Sequence, residues 1–319
     1  MNTIATQVGP VTTPGFNIIT SQVGPITTPG FSTTTTYDYG GKWTPKDSSR
    51  GWTGVAMSSD GTIQTAVTTS FSRIYVSTDT GNTWIAKGLG SNWNSVAMSS
   101  DGRIQTAVSG SIYVSTDSGN TWTAKGPTAF SWNGIAMSSD GTIQTVVTIG
   151  QIYVSTDSGN TWTIKQSNSI TWQSVAMSSD GRIQTAVAYP GQIYVSTDYG
   201  NTWTAKDSNR NWYGVAVSSD GTKQTAVVNS GQIYVSTDSG NTWTAKDSSR
   251  AWNGIAMSSD GTIQTAVVSS GQIYVSTDSG NTWTAKDSSR SWTRVAMSSN
   301  GTIQTATVNG GYIYVSNAN

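Results

Sequence analysis

Seventeen acidic and seventeen basic residues balance in this 319-residue chain, and every acid is an Asp, because Glu is absent. His and Cys are absent too. The commonest general base near neutral pH and the commonest metal ligand are therefore missing, and no thiol or disulfide chemistry is available. The Asp residues fall into three recurring settings. Asp38, Asp79, Asp117, Asp157, Asp198, Asp238 and Asp278 sit in near copies of Ser236-Thr-Asp-Ser-Gly-Asn-Thr-Trp243. Asp60, Asp101, Asp140, Asp180, Asp220 and Asp260 sit in Ser-Ser-Asp-Gly, and Asp47, Asp207, Asp247 and Asp287 follow a recurring Lys. No carboxylate stands outside these classes, as a dedicated catalytic acid would. Glycosidases want two carboxylates at a set separation, whereas these Asp have turn roles, so no catalytic residue is expected. A calcium loop brings several carboxylates together and Asp-Ser-Gly-Asn brings one, so neither metal nor cofactor is expected.

The third setting could bind. Asp47 with Arg50, Asp207 with Arg210, Asp247 with Arg250 and Asp287 with Arg290 each precede a Trp: Trp52, Trp212, Trp252 and Trp292. An Asp, an Arg and an aromatic face together can grip a sugar or another polar ligand. The alternative is a local ion pair that shapes the turn, worth little on a surface. Repeated weak sites would act through multivalency. Arg294 departs from its repeat, because Gly54, Ser95, Gly134, Ser174, Gly214 and Gly254 hold the equivalent positions. On an innermost strand its side chain would enter a central channel, to hold an anion or to fill space.

The elements that must position these residues follow from a period of about 40 residues. The copy that opens at Trp52 reads as four short strands: Trp52–Ser58, Ile63–Val67, Ile74–Ser77 and Thr83–Lys87. Val, Ile, Thr, Tyr and Trp favour strands, and Asp-Gly or Ser-Gly marks each tight turn. Four strands in such a unit are the signature of a propeller blade. The last copy stops after Ile313-Tyr-Val-Ser316, lacking a fourth strand, and Lys42–Lys46 near the other end can supply it. The chain thus reads as an all-β, seven-bladed β-propeller of four-stranded blades, closed by an N-terminal strand completing the last blade, over residues 37–319. Seven Trp opening the first strands are its expected cement between blades, and seven Gln from Gln64 to Gln304 its expected hydrogen-bonded ring.

The Ser-x-Asp-x-Gly-x-Thr-Trp copies resemble the Asp-box (BNR-type) motif of sialidase-like, sortilin-like and photosystem-assembly-factor-like β-propellers. The resemblance covers about nine-tenths of the chain and implies fold more than task, since that motif is a structural turn in families with unrelated activities. Sialidases use an arginine triad, a Tyr nucleophile and an acid/base pair including Glu; this chain has no Glu and no separate Arg cluster. The blades are also similar to those of seven-bladed bacterial lectins and to repeats in surface proteins of large viruses and phages. These likenesses imply a non-enzymatic binding protein, lectin-like or receptor-binding, or a purely structural spike.

Residues 1–36 differ from the rest. Gln7-Val-Gly-Pro-Val-Thr-Thr-Pro-Gly-Phe16 returns as Gln22-Val-Gly-Pro-Ile-Thr-Thr-Pro-Gly-Phe31, with no charged side chain before Asp38. The Pro residues forbid helix, so an extended arm with Pro-Gly turns is expected. Its apolar Phe16 and Phe31 suit docking on another subunit or a particle. No run is long and apolar enough to span a membrane, and zero net charge gives nothing to steer toward nucleic acid. The expected partners are a glycan, a cell-surface receptor or another protein. No cleavable signal is visible, and the Thr, Ser and Gly excess suits an extracellular or virion surface.

Overall fold

The computed structural model describes residues 37–69, 72–127 and 131–318. The expected arm, with Phe16 and Phe31, lies outside the described residues. The described secondary structure is strand and turn, without helix, and none of it could cross a membrane as a helix. In chain order the strands begin with β1 (Thr44–Met57), β2 (Gln64–Thr68), β3 (Ser72–Ser77), β4 (Ile85–Ser91), β5 (Ser95–Met98), β6 (Gln105–Val108), β7 (Ile112–Ser115) and β8 (Thr123–Ala124). Next come β9 (Trp132–Met137), β10 (Gln144–Ser155), β11 (Thr163–Met177), β12 (Gln184–Ala188), β13 (Ile193–Ser196), β14 (Thr204–Ala205) and β15 (Trp212–Val217). The last are β16 (Gln224–Ser236), β17 (Thr244–Met257), β18 (Gln264–Val268), β19 (Ile273–Ser276), β20 (Thr284–Ala285), β21 (Trp292–Met297) and β22 (Ile303–Asn317).

Antiparallel pairing joins them into three six-stranded sheets and one four-stranded sheet. The repeat predicts separate four-stranded sheets, and the difference has a local cause. In β1 and β17 the stretch Asp-Ser-Ser-Arg, expected as a turn, continues the ladder, whereas at 287–290 only Arg290 bridges, to Gly271. β1 pairs with β22 from Thr44 to Gly51 and then with β2 from Trp52 to Met57. β11 and β17 change partner in the same way, at Trp172 and Trp252. The expected clasp is present, with Thr44 opposite Val315 and Lys46 opposite Ile313.

Three sets of contacts tie the sheets around a common channel. In the first, Ser59 donates its N–H to Ser100 O, Ser100 to Ser139 O, Ser139 to Ser179 O, Ser179 to Ser219 O, Ser219 to Ser259 O, Ser259 to Ser299 O, and Ser299 back to Ser59 O. In the second, Thr65 Oγ1 donates to Gln105 Oε1 at 2.7 Å, and the pattern repeats to Thr305, whose Oγ1 donates to Gln64 Oε1 at 2.6 Å. Each Gln in turn donates Nε2 to the Gly carbonyl of its own turn, as Gln64 does to Gly61 at 3.0 Å. This is the Gln ring expected from the sequence, and it satisfies side chains that are otherwise fully buried.

The third set is hydrophobic. Trp252 packs with Ile255 and Ala266 of its own copy and with Val227, Ile233 and Val235 of the copy before. Trp52 does the same with Ile313 and Val315 at the other end of the chain. All seven Trp that open a copy are 0% exposed, and each full burial contributes on the order of 4–6 kcal/mol before entropy. The architecture is an all-β propeller.

Candidate functional site

Strand register divides the molecule into two ends. Met57 faces Gln64, and Gln64 faces Ser77. The Ser-Ser-Asp-Gly and Ser-Thr-Asp turns therefore share one end, and the loops after β2 and β4 share the other.

The constant end is saturated by its own hydrogen bonds. Asp79 Oδ1 accepts from Ser77 Oγ and from the N–H of Thr83, both at 2.8 Å, while Oδ2 accepts from Thr83 Oγ1 at 2.6 Å. The indole of Trp84 donates to Gly81 O at 3.0 Å. Asp117, Asp157, Asp198, Asp238 and Asp278 repeat the pattern. Partial burial pushes the Asp79 carboxyl up, but the Thr83 and Ser77 bonds outweigh it and hold it below its ordinary range. Asp60 is lowered chiefly by the Ser58 hydroxyl and then by Thr62. Gly81 must be glycine: at φ +78° an added Cβ would lie 2.8 Å from Val315 and 2.9 Å from Gln64 Oε1.

Asp38 departs from the other six. Lys42 stands where the other copies carry Thr, so the carboxylate loses that partner. It is largely exposed and instead accepts from Lys286 Nζ at 2.8 Å. No cluster of acidic residues able to hold a metal occurs among the described residues.

At the variable end, the structure brings each Asp-x-x-Arg pair together with its Trp, but not as a ligand grip. Arg50 pairs with Asp47 at 3.3 Å, Arg210 with Asp207 at 3.7 Å and Arg250 with Asp247 at 3.2 Å, and Arg290 pairs with Asp287. Each guanidinium also covers rings of its own sheets. Arg50 Cζ lies 4.3 Å from the Tyr75 centroid and 5.9 Å from that of Trp52, and Arg250 lies 4.3 Å from Tyr274. Trp52, Trp212, Trp252 and Trp292 are fully enclosed, in edge-on contact with Tyr75, Tyr234, Tyr274 and Tyr314 at 5.1–5.2 Å. No ligand can stack on these indoles, because packing between sheets has already taken both faces. Edges of the four Arg, 27–32% exposed, are what the corners present.

The channel mouth at this end is a polar cavity of about 240 Å³, lined by Thr53, Asn94, Ser131, Asn133, Gln173, Tyr213, Asn253, Thr293 and Arg294. The residue after each opening Trp lines it. Asn94 Nδ2 donates to Trp132 O, Asn133 to Trp172 O and Asn253 to Trp292 O, at 2.7–2.8 Å, while Thr53 and Thr293 donate to Trp93 O and Trp52 O. Arg294 is the one charged residue lining this cavity. Its Nη1 donates to Asn253 O and Thr293 O, both at 2.9 Å, and its Cζ lies 5.5 Å from the Tyr213 ring. Burial pulls its pKa below the usual arginine value, a pull that the Tyr213 hydroxyl partly offsets. Arginine still stays charged near neutral pH. Tyr213 and its ring of neighbours were not singled out from sequence; the signal was there in the position after each Trp, which varies while staying polar.

No family model matches the chain, and no curated protein does. Among solved structures it is similar to YCF48 from Cyanidioschyzon merolae, at 15% identity and TM-score 0.69, over 86% of this chain and 98% of that one. It is equally similar to a structure of YCF48 bound to D1 peptide, at 16% identity and TM-score 0.69, over 87% of this chain and 97% of that one. What they share is the propeller. Identities this low carry fold and not task.

Proposed function

We propose that the chain is a non-enzymatic binding propeller that engages a protein or peptide at its variable-loop end. The observation that carries this is the asymmetry of the two ends. Turn hydrogen bonds consume the Asp carboxylates of one end, whose channel mouth repeats the same Ser and Met in nearly every copy, while the other combines loops that differ from copy to copy with a channel mouth whose lining also differs from copy to copy. Binding residues concentrate on such loops over rigid scaffolds. A propeller of the same fold, YCF48, occurs bound to D1 peptide, which supports a peptide-like ligand. A glycan is the second reading, favoured by Arg edges repeated in four copies; with the Trp enclosed, its contacts would be polar and its strength multivalent.

The propeller has seven four-stranded blades in this reading. Support comes from the cycle of seven Ser-to-Ser bonds and from the long strands β1, β11 and β17, each the outer strand of one blade and the inner strand of the next. The six saturated Asp turns are Asp-box turns in the same reading. Residues 1–36 form an assembly arm, joining the propeller to another subunit or a particle on an extracellular or virion surface.

The test is capture of ligands from a peptide-display library and a glycan array. Replacing Arg50, Arg210, Arg250 and Arg290 together by Ala should abolish capture, while Asn82→Ala with Asn241→Ala at the constant end should not. Equal loss from both ends would refute the assignment of the binding end. Capture of nothing by the intact chain would favour the scaffold. Deleting residues 1–36 should alter assembly size; an unchanged elution volume would remove the arm's role.

A further inference from the structure

We propose that Arg294 makes the channel mouth a binding site for one carboxylate group. The argument starts from why this side chain is in the channel. Innermost strands pack so closely that a Cβ on Gly54 would lie 3.3 Å from the Cα of Ser95, and one on Gly254 would lie 3.4 Å from that of Arg294 itself. A long side chain at this level has no room between sheets and must point inward.

Once there, the guanidinium is fixed in orientation. Both backbone acceptors, Asn253 O and Thr293 O, are taken by Nη1, and Tyr213 holds the other side through its hydroxyl, its ring centroid 5.5 Å from Cζ. Of the three N–H groups left on Nε and Nη2, one meets the Tyr213 hydroxyl, and two remain for an acceptor brought by a ligand. A fork of two parallel N–H groups matches a planar carboxylate in both spacing and charge. The wall offers the cation no carboxylate, because its other lining residues are Thr, Asn, Ser, Gln and Tyr. Two of them extend the site. Gln173 and Tyr213 make none of the bonds to a neighbouring Trp carbonyl that hold Thr53, Asn94, Asn133, Asn253 and Thr293. The Gln173 amide is thus available beside the guanidinium, and the Tyr213 hydroxyl, which accepts from Arg294, can still donate its own proton. The volume, about 240 Å³, is below that of sites for drug-sized ligands. It admits one small organic acid or one acidic group protruding from something larger.

This inference shares the channel cavity with the loop-end reading but rests on Arg294, and either can fail alone. A chain that captures a partner at its loops yet ignores acetate would sink this inference and spare the other.

The experiment is an NMR titration of the full chain with sodium acetate, with acetamide as the uncharged isostere and inorganic phosphate as competitor. Acetate should saturate the signals of Tyr213 and Asn253 with a Kd on the order of 1 mM, at least about tenfold tighter than acetamide. Arg294→Gly should abolish saturation while leaving thermal unfolding nearly unchanged, since Gly occupies the position in other copies. Arg294→Lys, which keeps charge and stem but loses the fork, should weaken acetate about tenfold and carries the test if the Gly variant fails to fold. No saturation in the intact chain, or equal saturation in either variant, would overturn the proposal. Phosphate displacing acetate at lower concentration would overturn the assignment to carboxylate.

Discussion

The hydroxyl of Thr305 donates to the side-chain oxygen of Gln64 at 2.6 Å, across 241 positions of sequence. Thr185 makes the same bond to Gln224 at the same length, 39 positions away. The seam between the chain's two ends is thus hydrogen-bonded like any internal joint. Thr305→Val and Thr185→Val should each cost about 1–3 kcal/mol, because each leaves a buried Gln oxygen unsatisfied. Urea denaturation of the two variants checks this; a Thr305→Val cost near zero would mean that the seam is slack.

The enclosed Trp give a larger effect. Trp252 is fully buried between the strands of two copies, so Trp252→Ala should cost about 3–5 kcal/mol. Its indole nitrogen has no protein acceptor, so Trp252→Phe sacrifices no protein hydrogen bond and should recover most of the loss. Comparable costs for Phe and Ala in denaturant melts would contradict this.

The Asp turn should hold without metal. Asp238 Oδ1 accepts from Thr242 N at 2.9 Å and its Oδ2 from Thr242 Oγ1 at 2.7 Å, so Asp238→Ala should cost about 1–3 kcal/mol. In the other turn class, Asp260→Asn should cost less, since Asn300 already serves at the equivalent position, accepting from Ser298 at 2.8 Å. EDTA should leave Tm unchanged in a thermal melt; a rise on adding calcium would reassign the turn as a metal site.

Acid should weaken the fold, and near-neutral pH should not. Hydrogen bonds from Ser and Thr hold Asp60, Asp101, Asp140, Asp180 and Asp220 below the ordinary carboxylate range, and in Asp79, Asp117, Asp198, Asp260 and Asp278 such bonds outweigh an upward push from burial. A carboxyl lowered on folding adds stability that is present above its unfolded pKa and fades as pH drops through its folded value. With no His in the chain, little titrates between about pH 5 and 8. Denaturant midpoints should be level over that range and fall below about pH 4. A drop between pH 7 and 5 would point to a titrating group outside these turns.

Much of the scaffold was legible because each copy repeats the same local signals. The second strand, expected over Ile63–Val67, is β2 from Gln64 to Thr68. The third, expected over Ile74–Ser77, is β3 from Ser72 to Ser77. The Gln ring was legible for the same reason: Gln and Thr stand in register in every copy, so the Thr of one meets the Gln of the next. The corners were not. Asp47-Ser-Ser-Arg50 has turn composition, yet Arg50 pairs with Gly311 in a ladder, because the preceding strand supplies an edge that propensity alone does not reveal. Composition likewise could not say that Trp52 is roofed by Arg50 and edged by Tyr75. The contact of Arg294 with Tyr213 depends on the curvature of the whole ring, which no local pattern encodes.

The pairing of β1 with β22 has a consequence for folding. Closing this ladder joins the most distant strands of the described chain, and contacts so far apart in sequence slow folding. A chain interrupted before that moment carries a sticky edge at each side of an unfinished circle. Two such chains could complete each other head to tail, so misassembly by swapping is the hazard built into this form of closure.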